Sequence, residues 1–586
     1  VPKRFLDQAL TMPYALSILI PARNEEFLGI TIEDVLKNTS DKTEVIAVLD
    51  GYTTDVPQIP DDPRVTIIHN ATSVGQRAAT NQAARLSQSK YVMKLDAHCS
   101  FDKDLDTKML EAIKGHDSWT MAPLMRNLHA FDWVCNNGHR RYQGPSGPCL
   151  ECGEETKKDI IWIGKKSPQS TSFCFDQEPH FQYFNEFKKR PEGQGDITET
   201  MSLQGSCFML TRDKYFELNI CDESLGSWGN QGIEVACKTW LTGGSVMVNQ
   251  KTWFAHMFRT QGGDFGFPYD NPGKRVQECK KKIRDTILDN KIPNQTRPLS
   301  WLIERFWPVP GWSEEMRQKI KNWPILSIPQ PSVSLVIPAS SEAPSHPTDA
   351  KESLKVGCLY YTDNELPDPL ATTVRNQILK VIGDKPLVSV SLKPLDFGKN
   401  IALPLERGKL TMHKQILRGL YELRDMGIDV VYFLEHDILY GGGYTDFVPP
   451  DPNIFYYNSN LWRVRQSDGF SVKYDHKSLS QLCAYIKKLI PEYENRVKVM
   501  EDENDGRHFT RGYEPGTRSL RRGGFSDEKS LIWEAEIPNI DVRHETNLSR
   551  SKWHPSEFRS HRSCRNWQES DVESILGWEN LRALIK

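Results

Sequence analysis

One short stretch of the chain combines residue types and spacing that could do chemistry: residues 94–101, Lys-Leu-Asp-Ala-His-Cys-Ser-Phe. It closes an apolar run, Tyr91 to Leu95, with Asp96 and His98 two positions apart. Alternate residues at a strand end point the same way, so a carboxylate and an imidazole there can converge on one object beyond the sheet edge. A divalent metal ion suits that pair. An isolated Asp-x-His is also what a turn-capping Asp beside a half-buried His looks like, so the surrounding sequence must decide.

Two further sets have ligand chemistry. Residues 135–152 place Cys135 and His139 as a Cys-x3-His pair and Cys149 and Cys152 as a Cys-x2-Cys pair, with a Gly/Pro turn between them. That pattern fits a tetrahedral structural Zn2+ site, or otherwise free thiols in a reducing cell. Residues 429–437 form another apolar run, ending in Glu435, His436 and Asp437, and His544 and His554 follow much later.

The elements that would position these groups follow a regular pattern. Over the first hundred residues, apolar runs at 15–22, 43–50, 65–69 and 91–95 alternate with amphipathic helical stretches at 27–38 and 75–88. This predicts an α/β unit with a mainly parallel sheet. In such sheets ligands bind at the carboxyl ends of the strands, where Asn24, Glu25, Asp50 and Asp96 fall. No Gly-rich fingerprint or P-loop names the nucleotide. A proline-rich stretch from Trp323 to Ser353 reads as a linker, and the pattern then restarts with apolar runs at 356–362, 386–392 and 429–437 and helical stretches at 371–382 and 411–426. The expected division is a first domain over 1–325 with an inserted metal knuckle at 135–152, a linker over 326–353, and a second, divergent copy over 354–586.

Composition bounds the classes. The 586 residues, 38% hydrophobic and 26% charged, are those of a soluble globular enzyme, and a net charge of −3 excludes a uniformly basic nucleic-acid binder. No apolar run is long enough to span a membrane and the first residues hold no secretory h-region. Twelve cysteines are too sparse for a disulfide scaffold, so a reducing, cytoplasmic setting is expected, host cytoplasm if the chain is viral.

Residues 202–269 supply three more features in order. Gly205 and Ser206 form a small-residue turn before a strand, "WGNQGIE" (228–234) opens a helix, and a strand ends at His256 in "AHMFR". Over roughly residues 14–270 the chain resembles the polypeptide N-acetylgalactosaminyltransferases and the wider family-two-like glycosyltransferases of GT-A fold. The resemblance implies two tandem GT-A-like, Rossmann-like nucleotide-diphospho-sugar transferase domains. It implies that Asp96 and His98 of "DAHC", together with His256, bind Mn2+ (or Mg2+) holding the diphosphate of a UDP-sugar. Asn24, Glu25 and Asp50 match the family's base and ribose contacts, with Arg77 facing the nucleotide and Asp96 shared between nucleotide and metal.

The chain also departs from the family. The pattern "WGGEN" followed by Leu-Glu becomes "WGNQGIE", so the Glu and Asn of that pattern fall on Gln231 and Gly232, while Trp228, Gly229 and Glu234 carry over. Trp228, Gln231 and Glu234 are the catalytic candidates, with Glu234 as base or acceptor-orienting residue or, alternatively, a helix N-terminal Glu favoured by the dipole. Retention or inversion stays open. The glycines and aromatics of 260–273 suit a lid over the sugar or a static surface loop. By analogy, Glu435 and Asp437 with His544 form a second metal site, making a tandem enzyme that adds two sugars, or a degenerate copy that positions the acceptor.

For the acceptor, segments 507–524 and 550–567 mix cations with aromatic residues and could track a phosphate backbone and stack on a base, or be solvated loops. The leading expectation is transfer of a hexose or N-acetylhexosamine to a hydroxymethylated pyrimidine in DNA, as in a viral or bacterial modification pathway. The alternatives are a protein or polysaccharide acceptor, or a decayed scaffold that binds sugar nucleotides or carbohydrate without turnover.

Overall fold

A computed structural model describes residues 14–52, 58–227, 229–258, 268–269, 273–326, 354–502, 514–517, 530–544, 547 and 566–586. Trp228, His554, most of the lid candidate and most of the two basic-aromatic segments lie outside the described residues. The chain divides into two compact units, Val1–Ser341 and Glu342–Lys586.

In the first unit, the strands Leu16–Ala22, Thr43–Asp50, Val65–Asn70 and Tyr91–Leu95 are parallel. The spatial order is 65–70, 43–50, 16–22, 91–95. Their continuous apolar runs reflect burial on both faces, as all-parallel sheets require; every residue of Leu16–Ala22 is buried. The helix Gln76–Leu86 lays Ala79, Ala83 and Ala84 into the core, small side chains that allow close approach to the sheet. The helix Leu28–Asn38 buries Leu28, Ile32 and Val35. Because the four strands run the same way, their carboxyl ends share one edge.

Beyond Tyr91–Leu95 the sheet turns mixed. Cys207–Thr211 pairs antiparallel with that strand, and the sheet continues through Trp119–Cys135 and Ser245–His256. The far half of Trp119–Cys135 pairs antiparallel with Thr156–Ser170 and with Arg140–Tyr142, forming an arm whose tip holds the knuckle cysteines. Phe27, Phe131 and Trp133 pack together at its base.

The second unit repeats the same strand order. Val356–Thr362, Leu387–Ser391, Lys399–Ala402 and Val430–Glu435 are parallel in the order 399–402, 387–391, 356–362, 430–435, and Leu482–Tyr485 adds antiparallel to the last. A smaller sheet joins Gln568–Asp571, Phe470–Lys473, Leu461–Arg465, Asn539–Arg543 and Ile438–Leu439. Both units are α/β, as the alternation of the sequence predicts. No helix among the described residues is long and apolar enough to cross a membrane.

Candidate functional site

Asp96 and His98 lie just past the strand Tyr91–Leu95, in a three-residue link to the short strand Cys99–Phe101. Their convergence therefore comes from a turn and not from strand alternation. The third member arrives by pairing: Phe254, Ala255 and His256 run antiparallel to Phe101, Ser100 and Cys99, with His256 opposite Cys99. The two imidazole Nε2 atoms are 3.1 Å apart, and His256 Nε2 is 3.3 Å from Asp96 Oδ2. Ligand atoms of all three residues lie within 4.8 Å of one another.

The electrostatics suit a cation. Burial lowers His98 and takes His256 down to about 4, so both imidazoles are neutral and able to ligate at neutral pH. Burial by itself raises Asp96, but Lys94 and the two imidazoles outweigh it and hold the carboxyl below its usual range. Only one proton can sit between the facing Nε2 atoms, and the buried His256 Nδ1 has no hydrogen-bond partner among the described residues. Two imidazoles and a carboxylate aimed at one point fit Mn2+ better than the nearly all-oxygen shell of Mg2+.

Residues around the cluster take roles that the sequence alone does not disclose. Glu25, matched above to a base or ribose contact, instead places Oε2 3.2 Å from His98 Nδ1 and orients that ring, as carboxylates behind metal-bound histidines do. Lys94, absent from the sequence-based candidates, is 1% exposed. Its Nζ donates to Asp96 Oδ1 and, at 2.8 Å, to the Gly205 carbonyl. The available signal was a lysine inside a strand otherwise buried on both faces.

Asp50 is fully buried and hydrogen-bonded through both oxygens: Oδ1 accepts from Val74 N at 2.8 Å and Asn70 Nδ2 at 3.1 Å, and Oδ2 from Ser73 Oγ at 2.8 Å and Gly75 N at 3.0 Å. It shapes the 73–75 loop, and its lone pairs are not free for a nucleotide. Asn24, with a left-handed φ of 50°, stays exposed at the strand edge.

Arg77 and Glu234 require the clearest corrections. Arg77 is 1% exposed and does not face a nucleotide site. Its guanidinium donates to Glu234 Oε2 at 2.9 and 3.2 Å and to the carbonyls of Gly226 and Gly229. Lys238 Nζ donates to Glu234 Oε1 at 2.8 Å, and Asp222 N reaches the same oxygen at 3.3 Å. A buried carboxylate held by two cations has no free lone pair to receive an acceptor proton. Glu234 is thus a clamp on the 222–230 loop and not an available base.

That loop leads into the helix Gln231–Leu241, whose first turn lines a cavity of about 490 Å³ together with Lys94, Asp96, Gly205 and Ser206. Gln231 borders this cavity and donates to Cys221 Sγ at 3.0 Å. The close approach needs glycine, since a Cβ on Gly232 would lie 1.9 Å from the Leu203 carbonyl oxygen. The helix has no side-chain cap, so its free N-terminal amides suit an anion.

At the arm's tip, Cys149 Sγ is 3.5 Å from His139 Nδ1 and Cys152 Sγ is 3.7 Å from Cys135 Sγ, with all four ligand atoms within 4.8 Å. A zinc tetrahedron with bonds of about 2.3 Å to sulfur and about 2.0 Å to nitrogen has edges of about 3.8 Å between sulfurs and about 3.5 Å from sulfur to nitrogen. The four side chains fit that ion. The arm also walls a cavity of about 200 Å³ through Phe131, Tyr142 and Gln143, and His256 lines the same cavity.

In the second unit the cluster is His436, Asp437 and His544, and Glu435 is not part of it. Glu435 is the last residue of its strand and accepts from the Tyr361 hydroxyl, while burial and the Asp437 charge push it up to about 8. Its carboxyl lies outside the ligand cluster, which corrects the assignment of Glu435 as a metal ligand.

Residues 17–133 match the family described as Glycosyl transferase family 2. Over 280 residues the chain is 22% identical to polypeptide N-acetylgalactosaminyltransferase 14 of Homo sapiens, covering 45% of this chain and 44% of that protein. Over 174 residues it is 25% identical to polypeptide N-acetylgalactosaminyltransferase 3 of Drosophila melanogaster, covering 23% of this chain and 25% of that one. The chain spans less than half the length of these curated relatives. Among solved structures, the crystal structure of GalNAc-T7 with UDP, GalNAc and Mn2+ aligns with a TM-score of 0.35 and 17% identity, covering 53% of this chain and 58% of that one. Within the first unit, residues 17–133 are thus similar to the glycosyl transferase family 2 domain.

The clamp role of Glu234 predicts a stability defect. Glu234→Ala leaves Arg77 and Lys238 buried and unpaired, an expected loss of about 3–5 kcal/mol in urea unfolding. A variant with unchanged stability that loses only turnover would restore Glu234 as a base.

Proposed function

We propose, from the match of residues 17–133 to glycosyl transferase family 2, that the first unit transfers a hexose or N-acetylhexosamine from a UDP-sugar to a hydroxyl acceptor. The observation that carries this reading is the convergence of Asp96, His98 and His256 beside the 490 Å³ cavity at the carboxyl edge of the parallel strands. These three residues would hold Mn2+, which when bound supplies Lewis-acid stabilisation of the departing diphosphate. Lys94 balances the Asp96 charge, Glu25 orients His98, and the first turn of helix Gln231–Leu241 offers amides to anionic ligand oxygens. Among the described residues lining the cavity, Asp96 is the only carboxylate, and Lys94 engages it. That favours retention, in which the leaving diphosphate oxygen itself takes the acceptor proton.

Two acceptors are supported by different observations. The names of the relatives favour a polypeptide. The cations and aromatic residues of 507–524 and 550–567 favour a hydroxymethylated pyrimidine in DNA. The deciding experiment incubates the chain with Mn2+ and mixed UDP-sugars, supplying a hydroxymethylcytosine duplex in one reaction and a Ser/Thr peptide in another, and weighs the products intact. A mass gain on one acceptor, reduced at least 100-fold by Asp96→Asn, is the expected result. No gain on either acceptor and no UDP release would favour the scaffold that binds without turnover.

For the knuckle, the tetrahedral edge lengths support a structural Zn2+ held by Cys135, His139, Cys149 and Cys152. Elemental analysis should find one zinc per purified chain, lost in the double variant Cys149→Ser, Cys152→Ser. Full zinc content in that variant would contradict the assignment.

A further inference from the structure

We infer that the second unit holds a divalent-cation site of its own, built by His436, Asp437 and His544, for a ligand bearing a diphosphate. The donor set is that of the first unit, two imidazoles and one carboxylate, with ligand atoms within 4.8 Å of one another. Asp437 and His544 are mostly shielded from solvent, with Asp437 Oδ2 3.7 Å from His544 Nε2. Asn547 Nδ2 donates to Asp437 Oδ2 at 2.6 Å and steadies the carboxylate.

The way the fold delivers these residues is the stronger support. In both units the first two ligands follow the strand at one side of the parallel set, Tyr91–Leu95 or Val430–Glu435, directly beside the first strand of the unit. A short strand follows at once, Cys99–Phe101 or Ile438–Leu439. Each short strand pairs antiparallel with a late strand, Ser245–His256 or Asn539–Arg543. His256 is the last residue of its late strand, and His544 immediately follows the other.

The supporting carboxylate recurs as well. Glu25 follows the first strand of unit one and faces His98 Nδ1 at 3.2 Å. Asp363 follows the first strand of unit two and lies 3.8 Å from His436 Nδ1, with Arg407 Nε donating to its other oxygen at 2.7 Å. The link from the parallel strand to the short strand is three residues in unit one and two in unit two, so the ligands are adjacent, His436 and Asp437, where unit one spaces them as Asp-x-His. Chance clustering of surface ligands would not reproduce a strand order, a late-strand histidine and a supporting carboxylate together.

The cation site stands on this geometry alone. The diphosphate ligand rests on the reading of the first unit, because the cluster occupies the equivalent carboxyl edge of an equivalent sheet.

The test counts bound Mn2+ on the zinc-loaded full chain with UDP present, using the electron paramagnetic resonance signal of free Mn2+. Wild type should bind two ions, Asp96→Asn one, Asp437→Asn one, and the double variant none. Glu435→Gln should keep both ions, and His436→Gln, at a less buried position, should weaken the second at least 10-fold with the thermal midpoint unchanged. One ion in wild type, lost with Asp96→Asn but kept with Asp437→Asn and His436→Gln, would overturn the inference and leave the first site intact. One ion lost only with Asp437→Asn would support the inference and overturn the first site. Loss of the second ion in Glu435→Gln would overturn the ligand set His436, Asp437 and His544.

Discussion

The candidate site depends on the antiparallel ladder between Cys99–Phe101 and Phe254–His256. His98 and His256 are 158 positions apart, and only that pairing brings their Nε2 atoms to 3.1 Å. Closing a loop of that length costs conformational entropy that no side-chain contact at the cluster could offset alone. The buried sheet supplies the offset, and the cluster is assembled as a by-product of forming it. Its position then follows from direction: parallel strands open their carboxyl ends, and the loops after them, onto one edge.

Charge at that edge is balanced by buried cations, each facing a carboxylate. Lys94 meets Asp96 at the cluster, and Arg77 with Lys238 meets Glu234 behind the 222–230 loop. The second arrangement fixes the loop that lines the cavity, since Arg77 also holds the Gly226 and Gly229 carbonyls. Buried pairs of this kind contribute little net stability when complete but are costly to break. They serve as positional locks, holding the helix Gln231–Leu241 so that its uncapped first turn faces the cavity.

The sequence disclosed what depends on local pattern. Alternating apolar runs marked both sheets, and Asp96 and His98 stood out as ligand-type residues at a strand end, while His256 was marked as a ligand only by the family resemblance. Pairings across long separations were not visible in it. Arg77 and Glu234 are 157 positions apart, so each read as a solvent-facing or ligand-facing group when in fact they satisfy one another. Glu25 could be placed at a strand end, but its aim at His98 could not be. The Glu435 assignment failed by one residue because a link shortened from three residues to two shifts which side chains leave the strand, and spacing rules presume a constant link. Lys94 was passed over because a lysine in an apolar strand reads as an interruption until its partners are known.

The sugar-transfer reading of the first unit requires that Asp96, His98 and His256 share one ion. An anomalous difference map, collected above the manganese absorption edge from crystals grown with Mn2+ and UDP, addresses this directly. A peak bonded to Asp96 and to both imidazoles is expected; no peak within bonding distance of these three side chains, with Mn2+ bound elsewhere in the first unit, would contradict the shared site.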